Sequence, residues 1–184
     1  MASESSTPVT QQIGRNMEGG SAELCTSLYH PDLELAAGCL LRDRSGRSFQ
    51  FGDLYRDSKA IIVFVRNFLC YTCKEYVEDL AKIPKSFLEK ADVRLIVIGQ
   101  SSYLHIQQFC SLTGYPHEMY VNTDRDIYTK LGMKKGETST SSGNRVHFLH
   151  RDMNRYNHVP ISSLLRYAGV QTIYFGNKPQ ILEV

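Results

Sequence analysis

Six consecutive apolar residues, Ala60 to Val65, leave few choices for the fold of this chain. The run is short and rich in β-branched side chains, which is typical of a strand covered on both faces. A second run of the same kind, Val93 to Ile98, stops at Gly99. We therefore expect two central strands of one sheet.

The segment between these runs is amphipathic. Tyr71 to Lys90 is expected to form a helix, because apolar residues recur there at intervals of three and four. These residues are Tyr76, Leu80, Ile83 and Phe87. Pro84 lies inside the segment and removes one backbone hydrogen bond, so we expect a kink or a break at this position.

The alternation continues after the second run. Ser101 or Ser102 can cap a further helix, whose apolar residues are Ile106, Phe109 and Leu112. Glu118 to Val121 is expected to form a third strand, followed by a short helix over Asp126 to Leu131 that Gly132 ends. This order predicts a parallel α/β core with right-handed crossovers.

The outer parts of the chain carry weaker patterns. Arg42 to Arg47 has turn chemistry between the apolar segment Leu33 to Leu41 and the alternating Ser48 to Phe51, which predicts a hairpin. Lys134 to Asn144 is polar and rich in glycine and serine, so we expect a loop with nothing to pack. Val146 to Leu149 is expected to follow it as a strand.

The two ends of the chain are expected to differ. A last helix is predicted over Ile161 to Ala168, with Pro160 near its start and Gly169 at its end. The side chains expected to face the sheet are Ile161, Leu164 and Leu165. Residues 1–22 have too few apolar side chains to offset the entropy of ordering, so we expect a disordered tail. Residues 23–184 are expected to form one domain.

Charge and cysteine content limit the class of protein. A net charge of +2 gives no field that would hold a nucleic acid or an anionic membrane. The first residues lack a secretory signal, and no apolar stretch is long enough to span a bilayer. Five cysteines, an odd number, fit a reducing compartment, where a close pair is usually redox-active or metal-binding. We therefore expect a cytoplasmic protein.

The pair Cys70 and Cys73 is the candidate catalytic site. A buried strand that leads through a turn into a helix places Cys70 at the helix start, where unpaired N–H groups favour an anion. This setting, with Arg66 and Lys74 nearby in sequence, is of the type that lowers a thiol pKa. Cys73 lies one turn on, with Cα atoms about 5–6 Å apart, so a disulfide can close. We assign Cys70 as the attacking thiol and Cys73 as the resolving one, although the reverse order is compatible with the spacing.

Two other interpretations of the pair stay open. It can be half of a zinc site, which needs further ligands, or it can simply pack in the core. Cys25, Cys39 and Cys110 occur singly, and Cys110 fits a small buried hydrophobe on a helix. His147 and His150 are three apart on a predicted strand, so they point to opposite faces and do not readily share a metal. We expect no metal and no bound cofactor.

Several blocks in this order resemble an AhpC/TSA-type peroxiredoxin domain over about residues 30–184. Within that superfamily, Phe68 to Tyr76 most resembles the peroxiredoxin-like 2 family. The blocks outside this segment are Asp53-Leu54, the strands Ile61 to Val65 and Val93 to Ile98, Tyr115-Pro116-His117-Glu118, and Asp124 through Tyr128 to Leu131-Gly132-Met133. The resemblance implies an α/β, thioredoxin-like three-layer fold, with a central mixed sheet flanked by helices, and an antioxidant or thiol-oxidoreductase role.

The chain departs from the family pattern in two places. Peroxiredoxins carry P-x-x-x-T-x-x-C, but Asn67 and Val63 stand in the threonine and proline places before Cys70. Counted from Cys73, those places hold Cys70 and Arg66. The family pattern also has a longer segment, with a further strand, before Val146, so we hypothesise a shortened variant that lacks one family strand.

The leading hypothesis is a thiol–disulfide redox protein. Its expected substrate is a peroxide or a protein disulfide, and an external thiol reductant must restore the cysteines. The alternative is a non-catalytic thioredoxin-fold protein that senses oxidants or regulates protein partners in cell signalling. The departures from the peroxidatic motif favour the alternative.

Overall fold

The computed structural model describes residues 33–133, 139–142, 149–151 and 158–170. The predicted tail at residues 1–22 lies outside these ranges, and so does Cys25. The domain boundary at residue 23 therefore stays a prediction.

Six helices and seven strands follow one another along the described residues, together with two short 3-10 helices at Phe51–Leu54 and Tyr103–His105. The helices are α1 (Leu33–Ala37), α2 (Tyr71–Leu80), α3 (Lys85–Lys90), α4 (Ile106–Thr113), α5 (Asp126–Lys130) and α6 (Ile161–Ala168). The strands are β1 (Leu40–Arg42), β2 (Ser48–Gln50), β3 (Lys59–Val65), β4 (Val93–Gly99), β5 (Glu118–Val121), β6 (Ser139–Ser142) and β7 (Leu149–Arg151).

The strands form one mixed sheet in the order β2-β1-β5-β4-β3-β6-β7. β3, β4 and β5 are parallel, as expected for strands joined by helical crossovers. β1 and β6 flank this parallel centre as antiparallel neighbours. The carboxyl ends of β3, β4 and β5 therefore meet at one edge of the sheet, which we call the carboxyl edge.

The core lies on both faces of the sheet. Along β3, Ile61, Val63 and Val65 pack on one face with residues of α2, α4 and α6. Ile62 and Phe64 pack on the other face with residues of α1 and α5. This burial on both faces is the reason the β3 sequence is continuously apolar, and it confirms the predicted sheet flanked by helices.

Several local predictions are confirmed. The predicted helix breaks at Pro84, which caps the start of α3. β1 and β2 form the predicted hairpin, and the Asp43 carboxylate accepts hydrogen bonds from the backbone N–H groups of Ser45 and Arg47 in its turn. Ser102, one of the two predicted caps, accepts a hydrogen bond from the N–H of Leu104.

Other predictions are wrong. Part of the predicted loop Lys134 to Asn144 is strand β6, which pairs antiparallel with β3. The composition of this serine-rich segment does not predict a strand. It is a strand because its backbone pairs with that of β3, a buried neighbour. The Leu33–Ala37 part of the segment before the hairpin is helical. The predicted strand Val146 to Leu149 lies outside the described residues except for Leu149, which begins β7.

Candidate functional site

The turn between β3 and α2 presents Cys70 at the carboxyl edge of the sheet. Cys70 has extended backbone geometry (φ −77°, ψ 117°) and immediately precedes α2. Its carbonyl oxygen accepts a hydrogen bond of 2.9 Å from the N–H of Lys74, which closes the first helical turn. The Asn67 Oδ1 accepts a bond of 3.0 Å from the N–H of Leu69 and so holds the turn. The predicted placement of Cys70 at the helix start is confirmed.

Phe68 anchors this turn to the rest of the molecule. Its ring is buried and stacks on that of Phe109 in α4, with centroids 4.4 Å apart. The Phe68 ring also lies against Gly99, where a Cβ atom would come within 2.5 Å of it. The absence of a side chain at the end of β4 thus lets the Phe68 ring lie there, two residues before Cys70.

The Cys70 sulfur receives polar contacts from two sides. An Arg66 Nη2 donates a hydrogen bond of 2.9 Å to Sγ, and the Thr72 hydroxyl lies 3.3 Å from it. Burial raises the pKa of Cys70. This effect is outweighed by contributions that lower the pKa, from the thiol and backbone N–H of Cys73, the Thr72 hydroxyl and the Arg66 charge. The net result is a pKa lowered from 9.0 to about 7. A large fraction of Cys70 is therefore thiolate at neutral pH.

Cys73 lies in a different environment although it is only one turn away. Its side chain is fully buried. Burial, together with the neighbouring Cys70 sulfur, raises the pKa of Cys73 to about 11. Both cysteines are free thiols, and the Cys73 thiol is hydrogen bonded to the Cys70 sulfur. The pair thus combines an anionic, partly exposed sulfur with a protonated, buried one.

The two cations named from the sequence have different partners. Arg66 contacts Cys70, whereas the Lys74 ammonium lies 3.3 Å from the Glu78 carboxylate. An i,i+4 pair on the helix surface is the usual partner of such a lysine. Of these two cations, we therefore assign only Arg66 a role in lowering the pKa of Cys70.

Sequence reasoning missed two polar residues near the pair. Thr72 had a local signal, because a hydroxyl two residues into the helix reaches the preceding sulfur. Tyr128 had no such signal: its buried hydroxyl, 2.9 Å from the carbonyl oxygens of both Val65 and Ile98, joins the ends of β3 and β4 from the other face of the sheet. It supports the strand ends from which the site projects.

Cys39 and Cys110, the other cysteines among the described residues, have partners of their own. Cys39 is buried, and the half-buried Cys110 thiol is directed at the Met119 sulfur, 3.7 Å away. Burial is the main cause that raises the pKa of each of these thiols. Among the described residues, no three His, Cys, Asp or Glu side chains are grouped as a metal ion would require. His147 lies outside those residues.

Two solved structures share the fold of this chain. Peroxiredoxin Q of Xanthomonas campestris superimposes with a TM-score of 0.63 at 14% identity, over 74% of this chain and 93% of that chain. A secreted disulfide oxidoreductase of Mycobacterium tuberculosis gives 0.55 at 13% identity, over 73% and 96%. These likenesses define the class of fold, which is thioredoxin-like, as predicted.

Sequence relatives identify the family within that class. The family model described as AhpC/TSA antioxidant enzyme matches residues 79–171. Peroxiredoxin-like 2C of Bos taurus is 42% identical over 228 aligned positions, which include 100% of both chains. The chain belongs to the peroxiredoxin-like 2 family of AhpC/TSA proteins, and this membership supports a redox role.

The family match has two features that bear on the site. The matched residues begin at position 79, after both Cys70 and Cys73, so the match does not itself assign a role to the cysteines. The alignment with the bovine relative is also longer than the 184 residues of this chain, so that relative contains residues with no counterpart here. The absence of one family strand stays a prediction.

In the part of the chain that the structure describes, no helix has the length and apolar character needed to cross a membrane.

Proposed function

We propose that this chain is a thiol–disulfide redox protein in which Cys70 attacks the oxidant and Cys73 completes a disulfide. With a peroxide, the Cys70 thiolate takes the terminal oxygen, the O–O bond breaks, and an alcohol or water leaves after gaining a proton. The Cys73 thiol then attacks the Cys70 sulfenic acid and releases water. With a protein disulfide, the two steps are successive thiol–disulfide exchanges.

The contact that carries this proposal is the 2.9 Å hydrogen bond from the Arg66 guanidinium to the Cys70 sulfur. It favours the nucleophilic form, since a guanidinium stays charged throughout the physiological range. Cys73 then needs only to lose its proton at the moment of the second step. Because the thiols supply both electrons, no bound cofactor takes part and an external thiol reductant returns the pair to its starting state.

A second function is favoured by the residues around the pair. Asn67 stands in the threonine place of the peroxiredoxin motif, and its Oδ1 is occupied by the N–H of Leu69. An amide therefore replaces the hydroxyl that the motif has at this place. In this second proposal the protein senses oxidants or regulates partners, and oxidation of Cys70 changes its surface without turnover.

One experiment separates these functions. Free thiols are titrated before and after one equivalent of hydrogen peroxide in the parent protein and in Cys70→Ser and Cys73→Ser, and turnover is followed with excess thiol reductant. Sustained turnover that Cys70→Ser abolishes supports the enzyme. Stoichiometric oxidation without turnover supports the sensor, and a Cys70 that reacts with neither hydrogen peroxide nor a protein disulfide such as insulin contradicts both.

Free thiols and the redox chemistry together favour a reducing compartment, so we also propose a cytoplasmic location. Fractionation of cells that express the full chain tests this proposal. Recovery in a secreted or membrane fraction would contradict it.

A further inference from the structure

Two exposed apolar side chains flank the reactive sulfur. Leu69 is 97% exposed and Tyr71 is 70% exposed, and they directly precede and follow Cys70. Of the two successive apolar residues in the turn, the core uses only Phe68, which is buried against Phe109. Leu69 therefore contributes nothing to packing within the described chain.

Two polar side chains contact the sulfur, and the turn uses the oxygen of a third. The Arg66 guanidinium and the Thr72 hydroxyl contact Cys70 Sγ, and the Asn67 Oδ1 accepts from a backbone N–H. A small peroxide needs donors aimed at its departing oxygen, and the amide of Asn67 replaces the threonine hydroxyl of the peroxiredoxin motif. A disulfide has less need of them, because its leaving group is a sulfur that is itself stable as a thiolate.

We propose that the substrate is a disulfide carried by a segment of another protein, and that this segment covers Leu69 and Tyr71 when its sulfur reaches Cys70. This inference rests on the proposed function. The chemistry around Cys70 determines what binds there. The anionic sulfur reacts with an electrophilic sulfur, and the apolar side chains of Leu69 and Tyr71 favour contact with apolar or aromatic residues of the partner.

The reaction balances without another oxidant. The Cys70 thiolate attacks one partner sulfur, the partner S–S bond breaks, and the departing thiolate takes a proton from water. The Cys73 thiol loses its proton to solvent and attacks Cys70 Sγ, which breaks the mixed disulfide. The partner leaves as a dithiol, reduced by two electrons, and the chain keeps a Cys70–Cys73 disulfide.

The test compares a protein disulfide with a small oxidant. Reduced protein is mixed with insulin, as the probe disulfide, or with hydrogen peroxide, and samples are quenched with an alkylating reagent and analysed by mass spectrometry, since the chain has no tryptophan to report the reaction. Leu69→Ser is compared with Leu112→Ser, whose leucine is 59% exposed near the far end of α4. Both changes remove one exposed leucine.

We expect the ratio of the insulin rate constant to the peroxide rate constant to fall about tenfold in Leu69→Ser, as the loss of one buried leucine contact implies. Leu112→Ser should keep the parent ratio. Cys73→Ser should accumulate a mixed disulfide between Cys70 and insulin. A Leu69→Ser ratio equal to that of the parent would overturn the inference while leaving the proposed function intact. A parent Cys70 that reacts with neither oxidant would overturn both.

Discussion

Arg66 follows β3 directly and is one of the groups that favour the thiolate form of Cys70, together with Cys73 and Thr72. The guanidinium lies 2.9 Å from Sγ, and the two groups favour each other's charged forms. This effect adds to that of the helix start, where backbone N–H groups also face the sulfur. The thiolate is therefore favoured by Cys73 and Thr72 inside the helix and by Arg66 outside it.

Arg66→Gln should raise the pKa of Cys70 part of the way from about 7 toward its ordinary 9.0, because the variant loses the positive charge but keeps the contributions of Cys73 and Thr72. The pH dependence of Cys70 alkylation by iodoacetamide, followed by mass spectrometry, measures the change. Arg56→Gln, which alters an exposed arginine paired with Asp53, is the matched control. An unchanged midpoint in Arg66→Gln would mean that the guanidinium does not control the thiolate.

The sequence was sufficient to locate Cys70 and Cys73, because their spacing and the helix start are local features. It could not decide between Arg66 and Lys74 as the cation beside the sulfur. Lys74 is bound to Glu78 instead, and that outcome depends on how side chains orient on the folded surface. The role of Tyr128 could not be predicted from local sequence either, because its hydroxyl contacts the end of β3 from the opposite face of the sheet.

At the scale of elements, the β3–α2 turn depends on a glycine in a different strand. Gly99 ends β4, and Phe68 occupies the space that a side chain at that position would take. Because the Phe68 ring also stacks on Phe109, it cannot move aside without losing that contact. The position of Cys70 is thus coupled to β4 and α4.

Gly99→Ala should lower the free energy of unfolding by about 1–3 kcal/mol, the usual range for overpacking a core. It should also change the alkylation rate of Cys70, since the turn moves with Phe68. Chemical denaturation and alkylation kinetics measure the two effects. Gly38→Ala is the control, because nothing lies within 4 Å of the added Cβ there. Equal stability of the two variants would contradict the close contact.

The elements differ in how far the sequence predicts them. β3 and β4 are buried on both faces, so their apolar runs identify them directly. β6 is a serine- and threonine-rich strand, and its place follows from pairing with β3 rather than from its own composition. Long-range pairing of this kind overrides local propensity, which is why a loop was expected there.

At the scale of the whole molecule, Arg94 ties several elements together. Its guanidinium forms two hydrogen bonds to the Glu118 carboxylate, of 2.8 and 2.6 Å, and therefore joins β4 to β5. It also donates a bond of 2.8 Å to the carbonyl oxygen of Leu54. Burial raises the pKa of Glu118, but the bonds and charge of Arg94 lower it more, so the pKa lies below 4.5.

Arg94→Met should therefore destabilise the protein in a pH-dependent way. A lowered carboxyl pKa contributes stability above about pH 4.5, and that contribution is lost as the pH falls through the folded-state value. We expect a loss of about 1 kcal/mol at pH 7, modest because both side chains are partly exposed, and a smaller loss at pH 3. Urea denaturation at both pH values measures this, with Arg56→Met as the surface control. A loss that does not depend on pH would contradict the ion pair.

The bovine protein contains residues with no counterpart in this chain, which leads to a prediction about the whole fold. If one family strand is missing, the sheet is less well covered and stability should be lower. Circular dichroism melts of this chain and of a version that carries the relative's additional segment should show the higher melting point in the longer protein. Equal, cooperative and high melting points would contradict the shortened-variant hypothesis.

The central claim is that Cys70 and Cys73 act as one redox couple at the start of α2. Peptide mapping by mass spectrometry after reduced protein receives one equivalent of hydrogen peroxide tests it most directly. We predict a disulfide between Cys70 and Cys73, with Cys39 and Cys110 still recovered as free thiols. Recovery of both Cys70 and Cys73 as free thiols, or oxidation that falls mainly on Cys39 or Cys110, would contradict the account.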